Sequence, residues 1–132
     1  MSLDRSFEGE DLGMATVLIV DDSRTSRRML RELLEKLSFE VVDEAINGEE
    51  GFLKYKEHNP DLVTLDITMP KLDGIEALQL IRKYNPEAKA VMITAAGQRE
   101  KMVQAVKYGA VEFITKPYEE EEVAKILKRV MN

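Results

Sequence analysis

After a polar start, the chain alternates two kinds of hydrophobic segment. Short apolar runs rich in β-branched residues predict five strands, at Thr16–Val20, Glu40–Asp43, Leu62–Leu65, Ala90–Ile93 and Val111–Ile114. Several of these runs are apolar on both faces, which is typical of strands covered on both sides of a parallel sheet. Residues 1–14 follow neither period, so we expect a flexible leader there or, in part, a cloning remnant.

Between the strands, apolar residues recur at helical spacing. Four stripes of this kind lie in Met29–Leu37, Ile75–Ile81, Met102–Val106 and Val123–Val130. A fifth helix is predicted from Asn47, whose spacing to Glu50 is typical of a capping box, to about Glu57. Gly109 follows the third stripe and predicts the end of that helix.

Five strands that alternate with five helices predict an α/β fold, with helices on both faces of a five-stranded parallel sheet. Right-handed crossovers leave few topologies for such a chain. The doubly wound, flavodoxin-like strand order 2-1-3-4-5 is the favoured one. We expect residues 15–132 to form this single domain.

Composition narrows the classes of function. With 19 basic and 25 acidic side chains the net charge is −6, whereas binding to nucleic acid phosphates requires a basic surface. We therefore expect protein partners and no direct binding to nucleic acid by this domain. No apolar run approaches the ~20 residues that cross a bilayer, so no membrane association is expected. The absence of cysteine excludes thiolate metal sites and fits a cytoplasmic location.

Polar residues end four of the predicted strands. Asp21 and Asp22 follow strand 1, Asp66 follows strand 3, Thr94 follows strand 4 and Lys116 follows strand 5. Ligands of open α/β sheets bind beyond the carboxyl ends of the strands, where the strand order reverses. In the order 2-1-3-4-5, strands 1 and 3 are neighbours, so three carboxylates, a hydroxyl and an ammonium are predicted to meet at one edge.

Crowded carboxylates repel one another unless a proton or a cation lies between them. Oxygen ligands without His or Cys suit a hard cation, here Mg²⁺ with Mn²⁺ as a substitute. With the ammonium of Lys116, such a site suits phosphoryl transfer, and an Asp can itself be the nucleophile. General acid–base work by two carboxylates is the alternative, although Asp21 and Asp22 are consecutive and are not expected to face each other.

Taken singly, these residues also have ordinary structural explanations. An Asp after a strand is commonly a turn or capping residue, and either Asp22 or Ser23 is expected to cap helix 1. That helix is crowded with arginines, which form either a solvated face or a docking surface for an acidic partner: Arg24, Arg27, Arg28 and Arg31. It is the joint placement of the strand-end residues that favours a functional site.

Five ordered motifs resemble one known family. The stretches TVLIVDDS, NGEEGFLKY, PDLVTLDITMPKLDG, VMITAAG and GAVEFITKPY are similar to those of bacterial two-component response-regulator receiver domains, from about Ala15 to Asn132. The sequences DITMP and AAGQ resemble the CheY-like, stand-alone chemotaxis type in particular. The resemblance implies a phosphorylatable signalling domain that is not an enzyme beyond assisting its own phosphorylation and dephosphorylation.

The resemblance also implies roles for individual residues. Asp66 would accept the phosphoryl group of a histidine kinase. Asp22 and Asp66 would bind Mg²⁺ directly, Asp21 would act largely through a metal-bound water, and the backbone carbonyl of Thr68 would be a further ligand. Lys116 would pair with Asp66 and then with the phosphoryl group.

A switch is implied as well. Thr94 would move toward the phosphoryl group and Phe113 would turn into the space that Thr94 leaves, which changes the face of helix 4, strand 5 and helix 5 for a downstream protein. The Lys116–Pro117 bond is expected to be cis. Thr68 and Ala96 occupy positions that tune self-dephosphorylation in the family, and neither brings a carboxamide or an acid.

Three other interpretations stay open. Because the chain ends soon after the last helix, we expect a stand-alone regulator, and the alternative is the receiver of a larger regulator with a transcriptional or enzymatic output. A dehalogenase-type phosphatase would require a D-x-D motif, but Asp66 is followed by Ile67 and Thr68. A dinucleotide or flavin module would require a G-x-G-x-x-G motif after strand 1, which the sequence lacks.

Overall fold

The computed structural model describes residues 15–132. Its strands are β1 Thr16–Val20, β2 Glu40–Ala45, β3 Leu62–Asp66, β4 Ala90–Thr94 and β5 Glu112–Thr115. Its helices are α1 Arg24–Lys36, α2 Gly48–His58, α3 Gly74–Tyr84, α4 Arg99–Lys107 and α5 Glu120–Met131. The predicted leader at residues 1–14 lies outside the described residues.

All five strands are parallel, in the order β2-β1-β3-β4-β5. The predicted order 2-1-3-4-5 is therefore confirmed. In β3 and β4, Asp66 pairs with Ile93, so Thr94 extends one residue beyond the strand that carries Asp66. The carboxyl ends of β1, β3, β4 and β5 meet at one edge of the sheet.

The apolar side chains form one core on each face of the sheet. Helices α1 and α5 cover one face, where Leu30 and Leu34 pack with Val123 and Leu127. Helices α2, α3 and α4 cover the other face, and the fully buried Tyr55 belongs to this second core. Because both faces are covered, the residues of the central strands β3 and β4 are buried throughout, which explains why these strands are mostly apolar on both faces.

Side-chain caps fix where several helices begin. Ser23, one of the two predicted candidates, is the N-cap of α1 and accepts from the backbone N–H of Ser26 at 3.1 Å. Asn47 caps α2 as predicted, but the capping box is incomplete because the Glu50 carboxylate accepts from Ile46 N–H instead. A complete capping box starts α3. Strand β1 has the predicted bounds, and β2, β3 and β4 extend one or two residues beyond their predicted ends. Strand β5 begins and ends one residue later than predicted.

The start of α3 lies against the end of β3 with no room for a side chain. The N–H of Gly74 donates to Ile67 O at 2.9 Å, and a Cβ on Gly74 would lie 2.1 Å from Asp66 O. That distance is far inside van der Waals contact, and the obstructing atom is backbone. Gly74 therefore lets α3 support the tip of β3.

We predict that Gly74→Ala lowers the free energy of unfolding by about 1 to 3 kcal/mol, because the methyl group must displace the Asp66 carbonyl or the start of α3. Urea unfolding measures this change. Gln79→Ala, at an exposed position of the same helix, is the control and should change stability by less than about 0.5 kcal/mol. Equal stabilities of the Gly74→Ala variant and the parent would contradict the close approach.

Candidate functional site

Three carboxylates meet where β1 and β3 end. Asp21 and Asp22 directly follow β1, and Asp66 is the last residue of β3. One carboxylate oxygen of each lies within 4.8 Å of those of the other two. Asp21 is 1% exposed and Asp66 is 8% exposed, whereas Asp22 is open to solvent. The structure thus brings together the three acids that the sequence predicted to converge.

The backbone around Asp21 holds its side chain in place. Asp21 N–H donates to Ala45 O at 3.0 Å, and Asp21 O accepts from an Arg27 guanidinium N–H at 2.8 Å. Its Oδ1 accepts from Ser23 N–H at 2.8 Å. With Oδ1 engaged in this turn, the other oxygen, Oδ2, faces the carboxylate cluster.

Lys116 brings the only ammonium seen at this cluster within residues 15–132. Its Nζ lies 3.1 Å from Asp21 Oδ2 and 3.6 Å from Asp66 Oδ2. The Lys116 N–H donates to Thr94 O at 2.8 Å, which ties the segment after β5 to the tip of β4. The Lys116–Pro117 peptide bond is cis, as the family resemblance implied.

The cluster resists ionisation of Asp66. Burial raises the pKa of Asp66 to about 7; the nearby Asp21 carboxylate adds to this effect, and the Lys116 ammonium opposes it. Burial also raises the pKa of Tyr118 to about 12, so its phenol stays neutral beside the acids. The Tyr118 hydroxyl is 2.9 Å from Ser26 Oγ and links the segment after β5 to α1, a contact that the sequence analysis missed.

The acids fit a divalent cation. Asp21 Oδ2 is buried and, among residues 15–132, has no hydrogen-bond partner, although it contacts Lys116 in an ion pair. The three clustered carboxylates outnumber the ammonium of Lys116, so a divalent cation would lower the cost of holding them together in a partly buried site. All-oxygen ligands of this kind suit Mg²⁺. Asp21, Asp22 and Asp66 are the side chains that would hold it, and the role of the Thr68 carbonyl stays a prediction.

A hydrogen-bonded group joins the tips of β3 and β4. The buried Thr94 hydroxyl donates to Gln98 Oε1 at 3.0 Å and contacts Ala95 O at 3.2 Å. The Gln98 Nε2 donates to the Thr68 hydroxyl. The predicted switch residue Phe113 is partly buried against the core on the α4 side. Gln98 is not among the site residues predicted from the sequence.

The arginines of α1 have different roles. Arg27 Nε and Arg31 Nε donate to the two carboxylate oxygens of Glu44 at 2.9 and 2.6 Å, and these contacts lower the pKa of Glu44 against the opposing effect of burial. Arg24 and Arg28 are exposed, and the Arg28 side chain is 82% accessible. Two of the four arginines therefore connect α1 to β2, and the other two face solvent.

Comparisons with known proteins agree with this geometry. The family described as the response regulator receiver domain matches residues 17–128, so the chain belongs to the response-regulator receiver family. The chemotaxis protein CheY of Bacillus subtilis (strain 168) is 45% identical over 116 residues, which cover 88% of this chain and 97% of that protein. Thermotoga maritima CheY is 46% identical over 114 residues, 86% of this chain and 95% of the relative.

Solved structures also match. A CheX–CheY–BeF3–Mg²⁺ complex from Borrelia burgdorferi contains a chain with a TM-score of 0.85 and 39% identity, over 89% of this chain and 90% of that one. A receiver domain from Clostridium thermocellum gives a TM-score of 0.84 at 30% identity, over 90% of this chain and 95% of that one. The fold is thus the flavodoxin-like, CheY-like one. Within residues 15–132, each helix is too short or too polar to span a bilayer.

We predict that Mg²⁺ binding depends on pH through Asp66. Below about pH 7 the folded, cation-free protein keeps a proton on Asp66 that the cation must displace. The apparent affinity for Mg²⁺ should fall by up to about tenfold per pH unit below this value. Calorimetric titrations at pH 6 and pH 8, in buffers of different ionisation enthalpy, measure the released proton. Equal affinity and no proton release at pH 6 would contradict the raised pKa.

The raised pKa of Asp66 also determines how the free energy of unfolding of the cation-free protein changes with pH. Between about pH 4, where an unfolded Asp ionises, and about pH 7, the folded state binds a proton that the unfolded state does not. The cation-free protein should therefore lose stability as the pH rises through this window. Asp66→Asn is the control, because it should remove this contribution from the pH dependence.

Proposed function

We propose that this chain is a chemotaxis-type response regulator that accepts a phosphoryl group from a histidine kinase on Asp66, with Mg²⁺ bound by Asp21, Asp22 and Asp66. The observation that carries the proposal is the convergence of these three carboxylates with the Lys116 ammonium at one sheet edge. The relatives named CheY, which this chain matches over nearly their whole length, support the chemotaxis type.

The chemistry requires little of the protein beyond positioning and charge. An Asp66 carboxylate oxygen attacks phosphorus and forms the O–P bond as the P–N bond of the phosphohistidine breaks. The electron pair of that bond stays on the imidazole nitrogen, which takes a proton from solvent as the histidine leaves. Lys116 Nζ, 3.6 Å from Asp66 Oδ2, is close enough to donate to the phosphoryl oxygens. A bound Mg²⁺ would neutralise charge on the transferring group. The product carries about one more negative charge than the carboxylate it replaces.

The output is proposed to pass through Thr94 and Phe113 to the face formed by α4, β5 and α5. Four apolar side chains on and after α4 are exposed at 44 to 58%, namely Val103, Val106, Tyr108 and Val111. An apolar surface of this kind is typical of a protein-binding face. We propose a downstream protein target there, in a cytoplasmic setting, with residues 15–132 as the receiver domain and no catalytic turnover of an external substrate.

The acceptor assignment predicts a specific covalent change. Incubation with acetyl phosphate and Mg²⁺ should add ~80 Da, the mass of one phosphoryl group, in a base-labile form. Mass spectrometry should detect no addition in Asp66→Asn or in excess EDTA, because the nucleophile or the cation is then missing.

A matched control lies at the opposite end of the same strand. Asp61 precedes β3 and accepts hydrogen bonds from Thr16. Asp61→Asn therefore makes the same replacement of a carboxylate by an amide as Asp66→Asn, but it leaves the carboxylate cluster intact. This variant should be labelled like the parent. A label that persists in Asp66→Asn would reject the acceptor assignment, and sustained hydrolysis of a phosphate ester would favour the phosphatase interpretation.

The exposed arginines of α1 predict a difference between phosphoryl donors. Arg24→Glu with Arg28→Glu should slow phosphotransfer from the cognate histidine kinase about threefold or more, because charge reversal at an interface mainly reduces association. Labelling by acetyl phosphate should not change. Quenched time courses of labelling measure the rates with the histidine kinase and with acetyl phosphate.

Charge reversal at Arg27 would not be a clean test, because this residue also binds Glu44 and Asp21 O. Lys125→Glu with Lys128→Glu, at exposed positions of α5, is the matched control for net charge. An unchanged rate from the kinase in the Arg24 and Arg28 variant would remove α1 as a docking surface.

A further inference from the structure

The Gln98 side chain stands apart from the charged cluster, yet it contacts the proposed switch residue directly. Gln98 is the N-cap residue of α4, but its side chain makes no capping hydrogen bond to that helix. It turns back instead toward the ends of β3 and β4. Gly97, with a φ of 87°, supplies the left-handed backbone that precedes this reversal.

The orientation of the carboxamide follows from its partners. Ala95 N–H is only a donor, and it lies 2.7 Å from the Gln98 atom assigned as Oε1. That atom must therefore be the oxygen, and Nε2 must face the Thr68 hydroxyl. Thr94 Oγ1 lies 3.0 Å from the same Oε1. One side chain thus connects Thr94 and Ala95 at the tip of β4 with Thr68 beyond β3.

The Thr94 hydroxyl has a single proton to donate. In this structure its neighbours are two acceptors that cannot donate to it, Gln98 Oε1 and Ala95 O. A phosphoryl oxygen on Asp66 is also only an acceptor, so Thr94 can bond to it only by withdrawing the proton from these carbonyls. Gln98 and the phosphoryl group therefore compete for the same hydrogen.

We propose that Gln98 is a positioning residue that holds Thr94 in its resting orientation and ties it to Thr68, so that switching requires one hydrogen bond to be exchanged for another. This inference rests on the proposed function, in which Thr94 responds to phosphorylation of Asp66. Gln98 sets how readily Thr94 moves toward the phosphoryl group, and it does so through hydrogen bonds to Thr94 rather than through Asp66, the phosphoryl acceptor.

A double-mutant cycle with beryllofluoride and Mg²⁺, a stable mimic of the phosphoryl group, tests the competition. Gln98→Met keeps the length of the side chain and removes the acceptor. It should bind beryllofluoride about threefold to tenfold more tightly than the parent, because the lost hydrogen bond opposed the bound state. In a Thr94→Val background the same substitution should change the affinity by less than about twofold.

The matched control is Gln104→Met, at an exposed position of α4, whose affinity should equal that of the parent. Unchanged or weaker binding by Gln98→Met, or an equal effect in both backgrounds, would overturn the inference, since a general loosening of the loop does not depend on the Thr94 hydroxyl. Calorimetry or NMR titration gives the four affinities.

A second measurement needs no substitution at Gln98. In the parent protein, beryllofluoride with Mg²⁺ should shift the side-chain amide resonances of Gln98 in step with saturation. Those of Gln79, at an exposed position of α3 outside the proposed output face, should not shift. Gln98 side-chain resonances that keep their chemical shifts at saturation would overturn the inference. If the parent itself fails to bind beryllofluoride, or if Asp66→Asn binds it equally well, the proposed function fails instead.

Discussion

The repulsion between carboxylates that the strand order forces together is the constraint on which the site depends. Asp21 and Asp66 end neighbouring parallel strands, so the backbone pairing of β1 and β3 fixes their proximity. Because both are buried, little solvent screens the charges from each other. Burial raises the pKa of Asp66, the Asp21 carboxylate adds to this rise, and Lys116 opposes it only in part. The folded sheet therefore holds a site that gains stability by binding positive charge.

This constraint explains why the surroundings are rigid. Gly74 brings α3 against the carbonyl of Asp66, and Asp21 is held through both its backbone and its Oδ1. Without such supports the strand tips could splay and relieve the repulsion. The neutral phenol of Tyr118, bonded to Ser26, closes the side next to α1 without adding charge. The site is thus preorganised for a cation and for a transferring phosphoryl group.

Sequence reasoning succeeded where chemistry follows from strand ends. The apolar runs predicted all five strands, and the strand order then brought Asp21, Asp66 and Lys116 together. Sequence reasoning failed where a long side chain binds a partner that is distant in the chain. Nothing in the chain pattern around Glu44 indicates that it binds Arg27 and Arg31, because that pairing depends on how α1 lies over β2.

Gln98 escaped prediction for the same reason. The family resemblance pointed to Thr68 and Ala96, neither of which carries a carboxamide, whereas the fold brings one to Thr94 from the start of α4. The charges of the site thus come from strand ends, and the hydrogen bonds around Thr94 come from a loop. On the proposed function, a change in the strand ends would alter whether a phosphoryl group is accepted. A change in the loop would leave that chemistry intact and alter the free energy of switching, so the two properties would vary independently in this chain.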